Sequence, residues 1–360
     1  MQQAQQLSHE DVAAKARETV DRAIQRNVPD LPAPLELDLE VGPTPKDVVH
    51  SRGTMKLYHY RPLSPEVYRV PVLLVMSLVS RPYILDLAKG QSLIEYLLLQ
   101  GFDVYLVDWG VPRREHKHLR LDDYVTDFIP ECVAMVGEDS GEPDVSMIGY
   151  CLGGLLAALY AALYPDGPLK NLVCFTTPVN SDGMSLYRTW TDPAHFDLDR
   201  LIDSLGNIPS ELMDASIQML RPFQKSAGQM KLLDNAQNET FVTAHLRFDR
   251  WAADHIPFPG ETARQLVNDL MRENKLVRNT FELDGRRVDL GNITVPFLHV
   301  AAQHDHIVPS AASQDLVKLV GSTDKSEIVL KGGHVSLVAG GNAIYRLWPK
   351  LDVWLSRRSV

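Results

Sequence analysis

The chain has 360 residues, a formal net charge of −10 and 45% hydrophobic residues. That length suits one large domain or a domain with a sizeable insertion. The acidic balance excludes a nucleic-acid binder, which needs a basic face, and argues against loose adhesion to an anionic membrane.

Residues 8–26 read as a helix, with Ser8 and Asp11 placed for a capping box. Val12, Ala16, Val20 and Ile24 form one narrow apolar stripe, which either packs on the domain or docks another chain. The proline-rich stretch 31–47 reads as a linker. The opening residues lack a charged start followed by an apolar run, so no secretion signal is expected. No segment has the uninterrupted apolar length of a membrane span.

The continuous apolar run 69–79 predicts a strand covered on both faces. A helix is expected over 92–101, stopping at Gly101, then a second strand over 102–110. Residues 124–138 read as helical, with Pro130 starting or kinking the helix. A third strand (144–150), a third helix (152–165) and a fourth strand (169–179) follow. This βαβαβαβ rhythm predicts a parallel sheet with helices on both sides. Residues 180–290 break it with mostly helical segments around Trp251 and a possible hairpin over 281–290. The alternation resumes with a strand (295–305), a helix (310–320), a strand (326–334) and a closing helix. The expected organisation is an N-terminal helix and linker (1–40), a core (41–179 and 291–360) and an inserted helical cap (180–290).

The stretch "GYCLGG", residues 149–154, places Cys151 between glycines at a strand-to-helix corner. A nucleophile on so sharp a turn needs small neighbours, and the helix N-terminus favours a thiolate. A thiol needs a base, and the base an orienter. Asp305 and His334 end later predicted strands, where parallel sheets place their sites, in the chain order of an α/β-hydrolase triad. His304 and His306 compete with His334 for the base, and Asp108 is the rival orienter, better suited to capping the loop that holds Trp109. The oxyanion donors are expected to be the N–H groups of Leu152 and of Val79 or Ser80. Cys132 and Cys174 fall in a helix and a strand, and three cysteines make no disulfide framework, so a reducing cytoplasm is expected.

Together, "RPYILDLAKGQSLIEYLLLQGFDVYLVDWG", "GYCLGG", "HDHIVP" and "GGHVSLV" resemble polyhydroxyalkanoate synthases, from about residue 40 to the end. The similarity is greatest to the short catalytic (PhaC-type) subunits of the two-subunit classes III and IV. The resemblance implies an α/β-hydrolase fold with a cap, and polymerisation of 3-hydroxyacyl-CoA, mostly short-chain, into polyester stored in granules. It places the family's nucleophile on Cys151, its histidine on His334 and its aspartate on Asp305, the last also proposed to help activate the attacking 3-hydroxyl. It implies no cofactor or metal, a second non-catalytic subunit of the PhaE or PhaR type, and a homodimer. An acyl-CoA thioesterase or a dienelactone-hydrolase-like cysteine hydrolase uses the same triad, and an inactive granule scaffold is the remote alternative.

Overall fold

Two strands that the apolar pattern does not announce open the described region of the computed structural model, which covers residues 39–360. Strand β1 (Lys46–Arg52) and β2 (Met55–Tyr60) pair antiparallel across a turn at Gly53, whose φ of +63° suits glycine. β1 lies at the sheet edge and buries little, so its sequence carries no apolar run. The predicted helix over 8–26 lies outside the described residues.

β3 (Val72–Val75) and β4 (Val104–Asp108) flank α1 (Leu93–Leu99). The Ser92 hydroxyl caps α1 by accepting from the Glu95 N–H at 2.9 Å, and Gly101 ends the turn at φ +87°. A π-helical turn (Asp123–Phe128) runs into α2 (Ile129–Ser140), with Pro130 in its first turn where the missing N–H costs nothing. β5 (Val145–Tyr150), α3 (Leu152–Leu163) and β6 (Leu169–Phe175) follow. β6 stops four residues before its predicted end because Thr176 turns to φ +44°.

The helical stretch between β6 and the sheet's last strands holds α4 (Ser185–Trp190), α5 (Leu198–Leu205), α6 (Ser210–Leu220), α7 (Gln224–Asp234), α8 (Glu239–Ala253) and α9 (Gly260–Gln265). The predicted hairpin forms as β7 (Glu282–Leu283) and β8 (Arg286–Arg287), with Asp284 and Gly285 both at positive φ as a two-residue turn requires. β9 (Phe297–Ala302) and β10 (Lys325–Leu330) complete the sheet. The helix expected over 310–320 is broken into α10 (Ser310–Ser313) and α11 (Asp315–Leu319), and α12 (Trp348–Ser356) closes the chain.

The eight-stranded sheet has the order β1-β2-β4-β3-β5-β6-β9-β10, antiparallel only at β1–β2 and β2–β4. Period-2 alternation divides its core. Val75, Met147 and Leu172 pack with α2 and α3 on one face, while Leu74, Ile148 and Val173 pack with α1 and α12 on the other. All the parallel strands therefore end on one edge of the sheet, and the helical insertion returns to that edge through an antiparallel bridge between Ser80 and His255.

Candidate active site

The corner at Cys151 is strained. Its φ and ψ are 56° and −121°, a conformation costing on the order of 1–3 kcal/mol for a residue with a side chain. The surrounding glycines make it sterically feasible. A Cβ on Gly149 would meet the Gly154 Cα at 2.4 Å, one on Gly153 the Val75 carbonyl oxygen at 2.1 Å, and one on Gly154 the Thr177 hydroxyl at 2.0 Å. The Cys151 N–H still donates to the Phe175 carbonyl (2.9 Å), so the turn is fixed to β6. Cys151 is only 7% exposed.

Asp305 follows β9 and is buried. Its Oδ1 accepts from the N–H groups of Ile307 and Val308, both at 2.9 Å. Its Oδ2 accepts from the Thr176 hydroxyl at 2.5 Å and lies 2.7 Å from His334 Nδ1. These four partners fill the acceptor positions of a carboxylate. Burial opposes the charge, but the His334 imidazole, the Thr176 hydroxyl and the Val308 N–H hold the carboxyl below its ordinary value.

His334 begins a short 3₁₀ turn (His334–Leu337) after two glycines. With Nδ1 on Asp305, its other nitrogen is left for Cys151. Burial alone would lower its pKa. The Asp305 carboxylate and then the negative charge at Cys151 reverse that, and push it up to about 10. The Tyr150 ring packs beside the imidazole, with centroids 5.0 Å apart.

The competitors sit elsewhere. His304 is exposed, and half-buried His306 does not contact the Asp305 carboxylate in a hydrogen bond. Asp108 accepts from the Gly110 N–H at 2.9 Å, while Trp109 donates its indole N–H to the Met76 carbonyl, so Asp108 shapes that loop. Leu152 is the first residue of α3, and its N–H has no partner within the helix. Val79 lies in the turn after β3, with its N–H unpaired among the described residues. Cys132 and Cys174 are buried free thiols, each pushed up to about 12 by burial.

Three neighbours escape the sequence reading. Thr176 and Tyr150 are placed by strand ends, and only the adjoining motif hints at Tyr150. Tyr187 reaches the site from α4. Burial, and then the charges of Cys151 and Asp305, raise its phenol, so it stays a neutral donor. A latch holds the insertion to the turn after β3. Trp251 donates to the Arg81 carbonyl (2.9 Å), Ile256 N–H to the Val79 carbonyl (3.5 Å), and the Tyr83 hydroxyl to Asp254 (3.1 Å).

A family model for the alpha/beta hydrolase fold matches residues 85–340, and one for the poly-beta-hydroxybutyrate polymerase (PhaC) N-terminus matches residues 28–97. The poly(3-hydroxyalkanoate) polymerase subunit PhaC of Allochromatium vinosum is 37% identical, over 89% of this chain and 90% of that one. The chain belongs to the PhaC polymerase family. PhaC of Synechocystis sp. is 34% identical, over 90% of this chain and 87% of that one. PhaC of Haloferax mediterranei is 37% identical over 89% of this chain, which spans 66% of that relative's length. PhaC enzymes are acyltransferases on the α/β-hydrolase fold, and solved structures agree on the fold. A putative lipase from Sulfolobus solfataricus superposes with a TM-score of 0.56 at 17% identity, covering 87% of this chain and 99% of that one. A monoglyceride lipase from Saccharomyces cerevisiae gives 0.54 at 16%, covering 92% and 100%. Among the described residues, no helix is long and apolar enough to cross a membrane.

Proposed function

We propose that this chain polymerises 3-hydroxyacyl groups with short side chains from their CoA thioesters, through a thioester on Cys151. The observation that carries this is the line of Cys151, His334 and Asp305 at a strand–turn–helix corner. In the first step the Cys151 sulfur, whose proton His334 holds, attacks the thioester carbonyl carbon. The N–H groups of Leu152 and Val79 face the oxyanion. The carbon–sulfur bond to CoA breaks, and His334 returns the proton to the leaving sulfur. One thioester replaces another, so the acyl group stays activated.

In the second step the 3-hydroxyl of another acyl unit attacks the Cys151 thioester. An ester forms and the Cys151 sulfur leaves. His334 accepts the hydroxyl proton, because Asp305 has no acceptor position left for a substrate. Asp305 therefore positions and charges the imidazole, without the direct role that the resemblance implies. The insertion over 180–290 acts as a cap that keeps water from the acyl-enzyme, with Tyr187 on its inner side. A second, non-catalytic subunit and a homodimer complete the working enzyme on its granule.

The test is incubation with 3-hydroxybutyryl-CoA, with and without the second subunit. Free CoA and insoluble polymer should rise together. CoA release without polymer would instead identify a thioesterase.

A further inference from the structure

The chain is acidic overall, yet the loop after β4 gathers Arg113, Arg114, Lys117 and Arg120 within eight residues. Arg113 and Arg120 have carboxylate neighbours in Glu115 and Asp122. Among the described residues, exposed Arg114 and Lys117 have none. The same loop walls a half-open cavity of about 150 Å³ lined by Met55, Trp109, His116, Leu119, Tyr124 and Phe128. An apolar cavity near that volume accepts a single six-membered aromatic ring, so a purine would enter it by one ring and leave the other at the open mouth. Trp109 and Tyr124 already meet edge-on in its wall, 5.0 Å between centroids.

Arg52, Thr54 and one imidazole are the fixed polar groups in this wall. His116 Nδ1 accepts the Arg113 N–H at 2.9 Å, so the neutral ring must carry its proton on Nε2, near Gly53. The cavity thus combines aromatic walls, the His116 N–H, the Arg52 guanidinium held by Asp127 and Glu131, and a loop with two cations that have no carboxylate partner among the described residues.

Its position fits a long substrate. β4 lies two strands from β5, which puts the loop's root roughly 10 Å across the sheet from the Cys151 corner. The two are in contact through Trp109, whose indole bonds the Met76 carbonyl packed against Gly153. A pantetheine arm spans roughly 15 Å, the length of about five residues of extended chain. The loop also touches the insertion. The Lys117 stem lies against Gly206, and Asn207 donates to the Arg113 carbonyl (2.8 Å).

We infer that this cavity and its basic loop receive the adenosine phosphate end of the acyl-CoA, with Arg114 and Lys117 on the phosphates. The inference rests on the acyl-CoA reading above and adds the subsite. The test uses the full chain and three probes: 3-hydroxybutyryl-CoA, the N-acetylcysteamine thioester of the same acid, and free CoA. The double variant R114Q/K117Q should raise KM for the CoA ester and Kd for free CoA about tenfold, as expected for two partly exposed charge-assisted contacts. Both constants for the short thioester, which has no phosphates, should change less than twofold. His116→Gln, read with the same probes, serves if the double variant is unstable. Unchanged CoA affinity, or equal damage with both esters, overturns the subsite. If neither ester acylates the wild-type chain, the parent reading fails, and calorimetry with free CoA still decides the subsite.

Discussion

At the scale of the residue, the chemistry depends on one sulfur held in a backbone conformation that side chains rarely adopt. Cys151→Ala should lower polymerisation by about a thousandfold or more, since the nucleophile is gone. Its circular-dichroism spectrum and melting curve should stay close to wild type. Cys132→Ala and Cys174→Ala should keep activity and lose about 1 kcal/mol of stability each, as small cavities in a packed core do. A large activity loss in either would mean a second thiol takes part. Asp305→Asn should slow acylation and elongation in parallel, because among the described residues its carboxylate reaches only His334, Thr176 and two backbone amides. Rapid-quench measurement of both steps checks this, and a variant that acylates normally yet fails to elongate would restore a direct role for Asp305 on the hydroxyl.

The pH behaviour follows from the same pair. His334 is raised from 6.5 toward about 10, so its protonated form stabilises the fold fully below 6.5 and that contribution is lost as pH rises toward 10. Asp305 is lowered from 3.8, so its contribution is present above that value and lost only as pH falls below it. The stability gap between wild type and His334→Gln should therefore narrow from pH 6.5 to 10 in urea titrations. In NMR, Cys151→Ala should move the His334 titration down, and Asp305→Asn further, because the carboxylate is the stronger of the two charges raising it. An unmoved titration would separate Cys151 from the imidazole.

At the scale of the element, strands such as β3, β4 and β9 were legible as continuous apolar runs, and the Cys151 corner by the glycines that follow its strand. β1 and β2 were not, since β1 is an exposed edge strand with no apolar run and β2 interleaves its buried Met55, Leu57 and Tyr60 with polar residues. Asp305 and His334 were readable from their places after predicted strands. Thr176 and Tyr187 were not, because each meets the site only through folding, one by a left-handed turn and one across the insertion. Gly153→Ala tests the corner as an element. Its Cβ would meet the Val75 and Met76 backbone, and overpacking of this kind costs about 1–3 kcal/mol or more. The variant should melt earlier and lose activity together, and an active variant of wild-type stability would refute the close approach. The latch between α8 and the turn after β3 is a second such element. Asp254→Ala frees Tyr83 and Arg81, and it should lower kcat about tenfold with little change in KM, as expected when one oxyanion donor is poorly placed. A change confined to KM would assign the latch to substrate entry.

At the scale of the molecule, an acidic chain that grows a water-insoluble product needs an exit or an accessory surface. The proposed second subunit should shorten the lag and raise the rate of the purified chain. Deleting residues 1–26, which carry the stripe of Val12, Ala16, Val20 and Ile24, should weaken subunit binding more than it lowers the melting temperature. Unchanged affinity would make the stripe a packing face. The whole account turns on one covalent species, the acyl group on Cys151. Intact-mass and peptide mass spectrometry after brief mixing with 3-hydroxybutyryl-CoA measures it directly. The account predicts a thioester adduct on the peptide containing Cys151, lost in Cys151→Ala and lengthening by whole hydroxyacyl units with time. An unmodified Cys151 peptide during active CoA release, or an adduct on Cys132 or Cys174, would contradict it.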